Sequence, residues 1–94
     1  MTSTQNHTLD HVFYALSHPV RRTILDAICQ ETADISTLAK PHAMSIAAIS
    51  KHIAILEKAG LLTKKRHGNR IMCNANLWSI NGATDYIAFL KKYL

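Results

Sequence analysis

The stretch MSIAAISKHIAILEKAGLLTKKRHGNR, Met44 to Arg70, constrains this chain more than any other. Ser45 carries a hydroxyl suited to accept from free backbone N–H groups at a helix start. Apolar residues then recur at Ile46, Ile49, Ile53, Leu56 and Ala59, spacings of three and four that lay one stripe along one helix face. Gly60 ends the pattern, because glycine takes the left-handed conformation of a C-terminal cap without steric cost. Leu61 and Leu62 follow, then Lys64, Lys65 and Arg66, a Gly68-Asn69 bend, Arg70 and a second apolar run. The pattern predicts a helix over 45–59 feeding a basic hairpin over 64–74. Gly-Asn is a weaker hairpin signal than Asn-Gly, so the turn type stays open. A capped helix followed by a cationic ribbon is the outline of a winged helix that reads DNA.

The charge is distributed to match. The chain has 94 residues and a formal net charge of +5. Lys40, Lys51, Lys58, Lys64, Lys65, Arg66 and Arg70 face Glu57 alone within the 40–70 segment, and the remainder is close to neutral. Basic charge coinciding with a helix and hairpin is the footprint expected of phosphate binding, against the plainer reading of a solvated charged face. The length fits one domain over 1–94, with 1–7 as a flexible N-terminus. No apolar run approaches the roughly 20 residues that span a bilayer. MTSTQNHTLD lacks the profile of a signal peptide. Cys29 and Cys73 make no disulfide framework and read as small buried hydrophobes, which points to a reducing cytoplasm. No nucleophile–base pair, paired carboxylates or phosphate-cradling glycine loop can be assembled, and three glycines leave little room for one, so an enzyme is not expected.

The other helices follow from periodicity. About Thr8 to Ser17 carries Leu9, Val12, Phe13 and Leu16 on one face. Pro19 suits the first position of a second helix reaching about Gln30, with Val20, Ile24, Leu25 and Ile28 turned inward. A short third helix, about Ser36 to Lys40, has Asp34 or Ser36 as candidate caps and stops before Pro41. Short helix, turn and second helix make a helix-turn-helix whose second helix enters the groove. The last helix, roughly 79–94, has Ile80, Ala83, Ile87, Leu90 and Leu94 on one stripe and Tyr86, Phe89 and Tyr93 beside it. That is more apolar surface than one small domain needs, so the surplus reads as a dimer surface shared with the first helix. The expected fold is mainly α with a small β-hairpin, a winged helix-turn-helix whose interface comprises Leu9, Val12, Phe13, Leu16, Ile80, Ala83, Ile87, Leu90 and Leu94. The alternative is that both stripes are core.

The runs ALSHPVRRTIL (Ala15 to Leu25), AMSIAAISKHIAILEKAGLL (Ala43 to Leu62) and KKRHGNR (Lys64 to Arg70) resemble the ArsR family of small bacterial and archaeal winged-helix repressors. The similarity runs from about Leu9 to Leu94. It implies a homodimer, joined through its first and last helices, that binds an imperfect inverted repeat in double-stranded promoter DNA and blocks transcription. The family's metal sites find no match. DISTLAK lacks the Cys-x-Cys-type pair of one site; Asp85 stands alone where another needs Asp and His pairs. His7 and His11, four apart, are the nearest thing to a ligand pair and read as exposed histidines. The chain therefore resembles the non-metal branch, with no cofactor and no evident small-molecule or metal inducer.

Ala47, Ala48, Ser50, Lys51 and His52 are the candidate reading residues. Ser50 and Lys51 have base-edge reach, Lys51 toward guanine, and the alanines toward a thymine methyl. Ser45 is both a cap and a candidate phosphate contact. Lys64, Lys65, Arg66 and Arg70 are assigned to phosphates, and Asn69 or a nearby arginine to a minor groove. Arg21 and Arg22 read either as further backbone contacts or as partners of Asp26 and other acids. His18 and His42 read as turn residues, and His67 as wing surface. The alternatives to a specific repressor are a winged-helix module for RNA or protein, or an inducible metal or redox sensor of the same fold.

Overall fold

A computed structural model describes the backbone of residues 3–94 and the side chains from Thr8 onward. Helix α1 (Ser3–Leu16) begins five residues before the Thr8 start read from periodicity. The backbone of 3–7, expected to be part of a flexible terminus, is helical, and the side chains of 1–7, with them the His7 member of the ligand pair, lie outside the described residues. Helix α2 (Pro19–Gln30) starts on Pro19, with the His18 ring accepting from the Val20 N–H at 3.1 Å as its cap. Helix α3 (Ile35–Ala39) is capped by Asp34, whose carboxylate accepts from the Thr37 N–H at 2.9 Å.

Helix α4 (Ile46–Lys58) begins as its sequence requires, with the Ser45 hydroxyl accepting from the Ala48 N–H at 3.1 Å. Its end is a Schellman motif. Leu61 N–H reaches Leu56 C=O at 3.0 Å, Gly60 N–H reaches Glu57 C=O at 2.9 Å, and Gly60 sits at φ +77°. Leu56 and Leu61 are both buried, the apolar contact that accompanies this motif. A Cβ on Gly60 would also lie 3.1 Å from the Ser79 hydroxyl, which donates to Ala59 C=O and fastens the last helix to α4.

Strands β2 (Leu62–His67) and β3 (Arg70–Ala75) form the hairpin, longer by two residues in β2 and one in β3 than the sequence pattern predicts. Gly68 at φ +64° takes the first central position of the turn and Asn69 has no positive φ, which makes it type II′. A two-residue strand, β1 (Ala33–Asp34), adds to β3 on the other side, so the antiparallel sheet runs β1-β3-β2. Helix α5 (Ile80–Lys91) closes the chain.

One apolar core draws on α1 (Val12, Ala15), α2 (Ile24, Leu25, Ile28), α3 (Leu38), α4 (Ile49, Ile53, Leu56), Leu61, Leu62 and Cys73. Two expected interface residues belong to it. Val12 and Ala83 are buried within the chain. Leu9, Leu16 and Ile80 pack partly against the core, whereas Phe13, Ile87, Leu90 and Leu94 stay exposed. The reading of both stripes as core therefore fails for α5, where Ala83 alone is buried. The molecule measures 47 × 24 × 22 Å, and its radius of gyration of 14.4 Å exceeds the about 12.4 Å of a compact domain this long.

Candidate nucleic-acid interface

Helix α4 presents two faces. Ile49, Ile53 and Leu56 are fully buried and fix its rotation. Opposite them Ala47, Lys51, Ala54 and Lys58, spaced four, three and four, form an exposed line. Ala48 and Ser50 lie half-buried along its edge. Ala54 and Lys58 continue the outward line past the expected reading residues, as the same helical period implies. Ile46 departs from the expected apolar stripe. In the first turn, ahead of the core contact, it is 52% exposed, beside a partly exposed Met44.

His52 does not join the reading line. It is half-buried and turned toward α2, where its Nδ1 lies 3.0 Å from a terminal nitrogen of Arg21. Arg21, read as a phosphate contact or an ion-pair partner, is neither. At 4% exposure it is buried, with its guanidinium donating to Ala15 C=O at 2.9 Å and Tyr14 C=O at 3.0 Å. The position carried a signal for this: Arg21 shares a helical face with Ile24, Leu25 and Ile28. Arg22 is exposed and donates to the C=O of Leu16, the last residue of α1, at 2.7 Å. Asp26 takes neither arginine; it accepts from Gln30 instead.

The wing's cations fall into two classes. Paired residues on β2 and β3 share a sheet face, so Leu62, Lys64 and Arg66 lie with Ile71, Cys73 and Ala75. That orientation carries Lys64 to Glu57 of α4, 3.1 Å away, and ties the wing to the helix. On the other face Arg70 reaches Asp34 at 2.8 Å and ties β3 to the cap of α3. Hydrogen bonds from Thr37, then from Arg70, lower the Asp34 pKa to about 2, so it stays ionised near neutrality. Among the described residues Lys65 and Arg66 make no ion pair; Arg66 folds back onto Gly68 C=O at 3.2 Å. Asn69 is exposed at the tip of the turn.

No group of three or more His, Cys, Asp and Glu side chains is gathered for a metal among the described residues. Cys73 is buried beneath the wing, and burial pushes its thiol pKa up, which suits an inert thiol. Cys29, expected to be buried, is exposed on the outer face of α2. No helix among the described residues is long and apolar enough to cross a membrane.

Comparison with known proteins agrees with this geometry. Residues 16–65 match the family model of a helix-turn-helix domain. An uncharacterised HTH-type transcriptional regulator of Bacillus subtilis (strain 168), YuzN, is 38% identical over 71 residues, covering 67% of this chain and 76% of the relative. The crystal structure of an ArsR family transcriptional regulator superposes with TM-score 0.87 at 27% identity, covering 94% of this chain and 91% of the other. An ArsR-like transcriptional regulator from Rhodococcus sp. RHA1 gives 0.83 at 28% identity, over 99% and 85%. The homodimeric winged helix-turn-helix DNA-binding domain from Mycobacterium bovis, solved in solution, shares the fold at TM-score 0.75 and 19% identity, over 97% and 86%. With its capped helix α4, its three-stranded wing and these relatives, the chain belongs to the ArsR family of winged helix-turn-helix transcriptional regulators.

Proposed function

We propose that this regulator is a homodimeric, sequence-specific repressor that occupies an inverted-repeat operator in double-stranded promoter DNA in the cytoplasm. The observation that carries the reading is the uncovered line Ala47, Lys51, Ala54 and Lys58 on a helix capped at both ends. That helix is fastened by Glu57 to a wing whose Lys65 and Arg66 have no carboxylate partner among the described residues. In this arrangement α4 lies in the major groove, with Lys51 and Ser50 at base edges and the Ser45 end toward a phosphate. Lys65 and Arg66 take phosphates first, with Asn69 at the minor groove; Lys64 and Arg70 join by exchanging carboxylate for phosphate.

The dimer surface is the face that α5 and α1 leave uncovered. Phe13, Tyr86, Ile87, Phe89 and Leu90 are each at least about a third exposed, and the Phe13 and Tyr86 rings meet edge-on at 6.2 Å. Leu9, Leu16 and Ile80 border it, and Leu94 extends it. So much contiguous apolar surface on a small chain is the mark of a protein interface. Two reading helices about 34 Å apart would address successive major grooves on one side of the duplex. Repression follows by competition with polymerase, in the family's non-metal branch.

The test is Lys51→Ala, measured by fluorescence anisotropy on duplex from the upstream region and on a scrambled duplex. Loss of discrimination between the two supports base reading. Equal weakening on both makes Lys51 a phosphate contact and removes the direct-readout assignment.

A further inference from the structure

The buried guanidinium of Arg21 joins three parts of the molecule. Two of its donors satisfy Tyr14 and Ala15 carbonyls at the end of α1, and the Tyr14 ring lies 4.9 Å from its carbon. A weaker contact at 3.5 Å reaches the Ser17 hydroxyl. The remaining terminal nitrogen points at His52 Nδ1 on α4, 3.0 Å away. A guanidinium has donors only, so His52 Nδ1 is the acceptor; its ring is neutral, with the proton on Nε2.

His18 is held in the same state by different means. Its Nδ1 accepts from the Val20 N–H as the cap of α2, so its proton also sits on Nε2. The two rings lie 4.5 Å apart, tilted 47°. Protonating His52 would set an N–H against the Arg21 donor and add a cation beside it. Protonating His18 would set an N–H against the Val20 amide and place a cation against the His52 ring. Neither ring offers a lone pair to a metal without giving up its Nδ1 bond.

The surroundings supply little compensating negative charge. Among the described residues, Tyr14 of α1, His18 ahead of α2, Arg21 of α2 and His42 of the α3–α4 link are ionisable groups on this side, and His42 Nε2 is itself buried without a partner. Helix α3 carries no ionisable side chain, and Lys64 of β2 is engaged by Glu57.

We propose that Arg21 is a positioning residue that holds the reading helix through His52, and that this hold requires His52 and His18 uncharged, so that acidification weakens DNA binding. The proposal rests on the DNA-recognition reading above. Burial, followed by the charges of His18, Arg21 and His42, lowers the His52 pKa below its ordinary 6.5. The unfolded chain therefore takes up the proton first. The stabilisation is complete above about pH 6.5 and is lost as pH falls through the lowered folded value.

The test compares the wild type with His18→Asn/His52→Asn, in which amide oxygens can replace both Nδ1 acceptors without titrating. Anisotropy on one duplex at fixed salt, at pH 7.5 and 5.5, should show the wild type losing affinity by about tenfold relative to the double variant. The other histidines are common to both proteins and cancel in the ratio. Imidazole ¹⁵N NMR of the free wild type should show both rings as the Nε2–H tautomer at pH 7.5. Should the double variant fail to fold, the protection of wild-type α4 amides, taken relative to the slower intrinsic exchange at acid pH, must fall as His52 protonates. Parallel pH profiles, an Nδ1-protonated ring at neutral pH, or unchanged protection would overturn the proposal. Failure of every folded variant to bind any duplex at pH 7.5 would instead remove the DNA-recognition reading, and the free-protein spectra would still show whether the neutral pair exists.

Discussion

Replacing Lys65 and Arg66 together by Ala separates the two classes of wing cation. Neither side chain has a carboxylate partner among the described residues, so each is free to displace a counterion from a phosphate. Each such contact contributes about 0.9 to the slope of log affinity against log salt. In a dimer the double variant loses four contacts, a slope change of about 3.6, so the wild-type advantage should shrink roughly 100-fold between about 50 and 200 mM salt. Lys64→Ala/Arg70→Ala deletes equal charge, but these cations already sit 3.1 and 2.8 Å from Glu57 and Asp34. Its slope change should be less than about half as large. The assay is anisotropy of a labelled duplex over that salt range, with circular dichroism confirming that both variants fold. Equal slope changes in the two variants would refute the division of the wing.

Ile87→Glu should leave the chain folded, since Ile87 is 47% exposed, yet abolish dimer mass in sedimentation equilibrium; retained dimer mass would move the interface off α5. Ser45→Ala removes the acceptor for the Ala48 N–H and should cost about 1 kcal/mol in urea unfolding, with an unchanged midpoint arguing that the cap is idle. In the native protein a thiol reagent should modify Cys29 and spare Cys73, and rapid labelling of both would contradict the burial of Cys73 beneath the wing.

The stretch 45–62 was legible because its determinants are local. Ser45 caps three residues ahead, Gly60 closes a motif within five, and the period of Ile49, Ile53 and Leu56 names the buried face. Arg21 was not, because its partners are carbonyls six and seven residues back and a ring 31 residues ahead, and charge alone suggested the surface. The turn of His52 toward Arg21 is hidden from the sequence for the same reason, although its position three after Ile49 and four before Leu56 places it at the edge of the inward face. Strand β1 has only two residues and exists through pairing with Met72 and Cys73, so no local period announces it. On α1 and α5 the stripes were visible, but periodicity does not divide the residues buried within the chain, Val12 and Ala83, from those left outside.

The central claim is that a dimer of this chain reads duplex sequence through α4. Selection of bound duplexes from a random-sequence pool, followed by titration of the enriched and a scrambled duplex at one salt concentration, tests it most directly. The account predicts an enriched inverted repeat with half-site centres about 10 base pairs apart, bound by one dimer at least roughly 10³-fold more tightly than the scrambled control. A pool that stays random, with every duplex bound equally and released alike by salt, would contradict it.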